Sequence, residues 1–152
     1  MAEAFDPLPL ARLGRPGEPV GADGTLPSDP EVYNQILEAL ATYSRVMLIV
    51  PSNRPDLARE LQLLAAADSL WRAIFWMPDA STLANVDWPT VWAQATEPFA
   101  SVQLVLPPFT PGGWLFRFDP DGRACTFRII AHTYKDKLAK TIEELCAEMK
   151  SR

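Results

Sequence analysis

Three short apolar runs, each shut off by proline, constrain this chain more than any other feature. Arg45–Val50 reads RVMLIV and stops at Pro51, Leu70–Met77 reads LWRAIFWM and stops at Pro78, and Val102–Leu106 reads VQLVL before Pro107 and Pro108. Proline has no N–H for a strand ladder and clashes inside a helix, so each run ends where its proline begins. The runs have strand length and fall far short of the roughly 20 residues that span a bilayer as a helix. Their near-continuous apolar character suits strands covered on both faces.

Between these runs the periodicity becomes helical. Asp29 can cap a helix that begins near Pro30, carries Val32, Ile36, Leu37 and Leu40 on one side, and ends near Thr42. From Pro55, residues Leu57, Leu61 and Leu64 recur at helical spacing while Arg59 and Gln62 face solvent. A third helix runs from Trp88 to about Ala95 with Pro89 in its first turn. Beyond Pro111-Gly112-Gly113, the runs Trp114–Phe118 and Cys125–Ile130 flank Asp119-Pro120-Asp121-Gly122, which predicts a hairpin at the sheet edge. A closing helix toward Met149 aligns Tyr134, Leu138, Ile142 and Leu145. Strand-to-helix alternation of this kind predicts an α/β fold with three layers, a mostly parallel sheet flanked by helices on both faces. Residues 1–152 are expected to form a single domain. Its first 29 residues are expected to be partly irregular because of Pro7, Pro9, Pro16, Pro19 and Pro27 with four glycines, with Leu8–Leu13 able to supply a short strand.

Composition narrows the partners. Fourteen Lys and Arg against nineteen Asp and Glu give a net charge of −5, which argues against the basic face a nucleic-acid binder requires. Residues 1–10 lack the basic start and apolar core of a secretory signal, so the expectation is a cytoplasmic protein with no direct membrane insertion. Cys125, Cys146 and the single His132 form no zinc pattern, and both cysteines read as buried thiols whose pairing stays open. His132 is read as a capping or packing residue. Asp79, Asp87, Asp119 and Asp121 do not have EF-hand spacing, and no metal is expected. Neither phosphate-loop signature occurs, and Ser52, Ser81 and Ser101 lack the nucleophile-elbow context. The five tryptophans read first as core bulk, with an exposed subset beside Phe109 as a partner anchor.

In a parallel sheet the loops after the strands gather at one edge, which here nominates Gly14–Pro19, Pro51–Glu60 and Pro78–Ser81. Arg15 lies between Gly14 and Gly17, in a turn that reads either as purely structural or as an approach to phosphate. Ser52, Asn53 and Arg54 lead into a helix carrying Arg59 and Glu60. These letters fit a solvated helix cap. They also fit an anion site in which Glu60 contacts a ribose or stabilises positive charge at a glycosidic carbon.

The stretch RVMLIVP (45–51) followed by PDLAREL (55–61) resembles the strand and following helix of the bacterial TIR-like domain family. Residues 14–19 (GRPGEP) and 104–108 (LVLPP) are similar to segments of TIR-like modules, some of them attached to membrane proteins on the cytoplasmic side. The resemblance implies a flavodoxin-like or TIR-like sheet, with NAD as a substrate and no bound cofactor. Glu60 would then be the catalytic carboxylate for cleavage of the nicotinamide glycosidic bond. Arg15, Ser52, Asn53 and Arg59 would position phosphates or ribose, and self-association would close the site. The serine-bearing opening strand of that family is not found, and aromatic residues are plentiful. The first expectation is therefore a non-enzymatic recognition, effector or regulatory module in signalling that binds a protein partner or itself, with the NAD glycohydrolase as the alternative.

Overall fold

The computed structural model describes residues 12–13, 25–26, 33–79, 85–129, 140–145 and 147. A two-residue parallel pair, β1 (Arg12–Leu13) and β2 (Thr25–Leu26), stands apart from the main sheet. Helix α1 (Tyr33–Tyr43) leads into β3 (Met47–Ile49), and α2 (Leu57–Ala66) leads through a 3₁₀ turn at Leu70–Arg72 into β4 (Ala73–Asp79). Next come α3 (Trp88–Ala100), β5 (Gly112–Phe118) and β6 (Ala124–Ile129), with a last helix, α4, described at 140–145 and 147. The expected start of α1 at Asp29 and Pro30, residues 8–11 of the expected first strand, and most of the closing helix lie outside the described residues, as do Arg15 and His132.

The four-stranded sheet has the order β3-β4-β5-β6. Strands β3 and β4 are parallel, pairing Met47 with Ala73 and Ile49 with Phe75, as a right-handed crossover through α2 allows. The remaining pairings, β4 with β5 and β5 with β6, are antiparallel, so the sheet is mixed rather than mostly parallel. The physical reason lies just after α3. Residues 102–106, expected as a strand, instead close the helix. Gln103 takes the left-handed conformation at φ +62°, its N–H donates to the Ala100 carbonyl, and the Leu104 N–H reaches back to Phe99. This is a Schellman motif with Leu104 buried beneath it. Val105 keeps only an isolated bridge to Arg123. With no third parallel strand there, the chain turns through 107–111 and lays β5 antiparallel against β4.

Two other boundaries differ from the expected ones for local reasons. Residues 70–72 form the 3₁₀ turn instead of starting β4, because the Arg72 N–H bonds to the Ser69 carbonyl. Helix α3 continues past Ala95 and through Pro98. Its start matches the reading: Asp87 accepts from the Thr90 amide and hydroxyl, and a proline sits in the first turn. The expected hairpin forms, with the Arg123 amide held by the Asp119 carboxylate at 2.8 Å.

Strand β4 is covered on both faces, as its continuous apolar run implies. Ala73, Phe75 and Met77 point toward α2 and α3, where Leu57, Leu61, Trp92 and Phe99 meet Phe116 and Phe118 of β5. Phe75 is the hub, with ring centroids 5.5 Å from Phe99, 5.7 Å from Phe116 and 4.8 Å from Phe118. Ile74 and Leu115 face the other way and pack with Ile142 and Leu145 of α4. Helices therefore cover both sheet faces, while α1 lies against α2. Among the described residues, no helix is long and apolar enough to cross a membrane.

Candidate functional site

Glu60 sits in the first turn of α2 with both carboxylate oxygens engaged. Oε2 accepts from Arg54 Nη2 at 2.6 Å, and Oε1 accepts a short hydrogen bond from the Tyr33 hydroxyl on α1. Only 14% of the Glu60 side chain is exposed. Burial, reinforced by the hydrogen bond to Glu60 and its negative charge, pushes the Tyr33 phenol well above its ordinary value. The phenol therefore stays neutral and remains a donor to Glu60. The arrangement ties the start of α1 to the loop that precedes α2. Sequence reasoning selected Glu60 and missed Tyr33, because the contact spans 27 positions and nothing local to either residue announces it.

Among the described residues, the other nominated ones, Ser52, Asn53 and Arg59, make no hydrogen bond to that carboxylate. Asn53 donates to Gln94 Oε1 at 2.9 Å and so fastens the loop after β3 to α3. Ser52 has a buried hydroxyl without a hydrogen-bond partner. Arg59 is exposed on α2. Asp79 ends β4 in a buried position against Gly113, whose φ of +68° permits the close approach. Among the described residues, no three His, Cys, Asp or Glu side chains gather as a metal-ligand set. Cys125 lies half-buried on β6.

A different surface stands out at the C-terminal end of α1. Tyr43 is 85% exposed and Trp71, in the 3₁₀ turn, is 52% exposed. Arg72 links them. Its Nη1 donates to the Thr42 and Ser44 carbonyls at 3.1 and 2.8 Å, and its Nη2 donates to the Ala41 carbonyl in a short bond and to Ser69 Oγ at 2.7 Å. The same guanidinium lies 5.5 Å from the centroid of the Trp71 ring. One cation thus satisfies the terminal carbonyls of α1 on both sides of Tyr43 and packs on Trp71, which places both aromatics at one corner of the molecule. Beside them runs a shallow groove of about 360 Å³ lined by Ile36, Ala39, Leu40, Tyr43 and Ser44.

The exposed aromatics differ from those expected. Trp88 and Trp92 are buried, and Phe109 packs on Trp92 with ring centroids 6.1 Å apart, so that pair belongs to the core. Trp92 also donates its indole N–H to the Pro107 carbonyl at 2.8 Å. Trp71 escapes the core because it precedes β4 instead of lying within it.

The groove offers apolar side chains and one serine. Comparison of the chain with protein-family models, with curated proteins and with solved structures gives no match.

Proposed function

We propose that this α/β domain is a non-enzymatic, cytoplasmic recognition module that binds another protein through the corner formed by Tyr43, Trp71 and the adjoining groove. The observation that carries this reading is the exposure of two large aromatics beside an apolar groove, held in place by a guanidinium that makes four hydrogen bonds. Aromatic residues of this kind supply much of the binding energy at protein interfaces. A photo-crosslinking amino acid at position 39, in the groove, is expected to capture a defined partner in the producing cells. Adding Tyr43→Ala and Trp71→Ala should abolish that product without changing the melting temperature. The same probe at exposed position 93 on α3 serves as the control. Identical products from both positions would sink the proposal.

The TIR-like reading gives Glu60 the catalytic role and gives Arg15, Ser52, Asn53 and Arg59 the positioning of NAD. Engagement of Glu60 by Tyr33 and Arg54 supports a structural role for it instead. Incubation of the purified protein with NAD over a wide protein-concentration range is expected to release no nicotinamide. Glu60→Ala should lower stability by about 1–3 kcal/mol, since it strands a buried hydroxyl without its acceptor. Nicotinamide release by the wild type that is lost in a folded Glu60→Gln variant would establish the glycohydrolase.

A further inference from the structure

We infer that the partner segment recognised at this corner is acidic, with an apolar anchor seated in the α1 groove and carboxylates beyond it; this rests on the recognition reading above. Charge complementarity favours such a segment. The chain as a whole carries −5, yet two guanidinium groups, those of Arg72 and Arg117, meet at Trp71, a third arginine, Arg45, follows directly in the chain, and among the described residues none of the three is paired with a carboxylate. Arg72 bonds to backbone carbonyls and Ser69 Oγ. Arg117, only 9% exposed on β5, donates from Nη2 to the Trp71 carbonyl at 2.9 Å and has a buried Nε without a partner. Arg45 is exposed immediately after the Ser44 carbonyl that Arg72 holds.

Carbonyl oxygens satisfy donors without cancelling charge, so the field of Arg72 and Arg117 persists around Trp71, strengthened by partial burial. Three acids lie within reach of the corner in sequence, and one of them, Asp119 two residues past Arg117, already accepts from the Arg123 amide at 2.8 Å. Asp68 is exposed just before Ser69, and Glu38 is on α1. At 100° per residue, Glu38 projects about 150° away from the Ile36–Leu40–Tyr43 stripe, so the groove itself carries no negative charge. The stripe from Ile36 to Tyr43 extends about 10 Å, two helical turns, which suits a pair of apolar side chains on a short segment. Arg45 then offers direct hydrogen bonds to a carboxylate beyond the groove, while Arg72 and Arg117 supply field.

The test is selection from a random peptide library on the intact protein, followed by fluorescence anisotropy of the enriched peptides against purified variants. Enriched peptides are expected to combine an aromatic or aliphatic pair with Asp or Glu. Their affinity should fall at least about 10-fold in Tyr43→Ala, and roughly 5-fold or more in Arg45→Glu, with a further loss at high salt. Both substituted side chains are exposed, so melting curves that match the wild type certify the variants. Enriched peptides that require Tyr43 but are neutral or basic, or that ignore Arg45→Glu, would overturn the acidic partner and leave the recognition surface standing. A library yielding no peptide that depends on Tyr43 would overturn both. Concentration-dependent self-association in sedimentation velocity, lost in Tyr43→Ala, would assign the surface to a second copy of the chain and overturn the inference.

Discussion

Gly122→Ala is expected to cost about 3 kcal/mol, the sum of backbone strain and forced repacking that are each of order 1–3 kcal/mol. Gly122 holds φ +74°, a region that side-chain-bearing residues rarely adopt, and a Cβ there would stand 2.0 Å from the Gln103 carbonyl oxygen. That oxygen belongs to the turn that closes α3, and the Gly122 carbonyl in turn accepts from the Val105 amide at 2.8 Å. The hairpin tip is therefore docked backbone to backbone on the end of a helix, with no flexible side chain available to yield. An alanine must either break the Val105 bond or push the tip away from Leu104, which is buried in the main core cluster. For a domain of this size the expected loss corresponds to roughly 6–12 °C in Tm. Chemical denaturation of Gly122→Ala beside Asp121→Ala measures it. The neighbouring exposed position should change by no more than about 0.5 kcal/mol. A Gly122→Ala variant that melts with the wild type would show that the tip is not seated on α3.

A backbone-to-backbone contact of this kind has no local signal in the sequence. Proline stops and apolar runs were enough to locate β3, β4 and the Asp-Pro-Asp-Gly hairpin, because those signals are local and act through the backbone itself. The direction of β5 was not legible, since it depends on how 101–111 travels. Glycine normally punctuates the end of a helix by taking the left-handed position. Here Asp68 and Gln103 take it after α2 and α3, at φ +48° and +62°. Without that punctuation the β-branched letters of 102–106 read as a strand. Asp68 closes α2 in the same manner, with the Ser69 amide bonded to the Leu64 carbonyl at 2.8 Å. The site shows the same division. Glu60 is visible as a carboxylate on a helix, but its use depends on Tyr33 from another helix. Trp71 and Trp92 look alike as letters, and only the packing of β4 and α3 decides that one is exposed and the other buried.

Arg72→Ala is expected to cost about 2–4 kcal/mol, several hydrogen bonds from a charged donor at roughly 1 kcal/mol net each with a favourable charge at a helix C-terminus. The loss should be local. Tyr43 and Ser44 lie where the helix would otherwise present unsatisfied carbonyls to solvent, and Arg72 supplies donors to Ala41, Thr42 and Ser44 together. Ser69 Oγ, itself bonded to the Ala41 carbonyl at 3.0 Å, loses its guanidinium partner at the same time. Amide exchange should therefore accelerate most at the end of α1, including the Ser44 amide bonded to Leu40, ahead of the amides of α2. Arg72→Lys should recover only part of the stability, because an ammonium is a point donor and cannot reproduce the planar fork that reaches four oxygens. Functionally, fraying the last turn of α1 releases Tyr43 and unstacks Trp71, so crosslinking from position 39 should fail at temperatures where the β-sheet core is still folded. If exchange rose evenly across the domain, or crosslinking survived in Arg72→Ala, the guanidinium would be a general stabiliser and not the element that holds the recognition corner in shape.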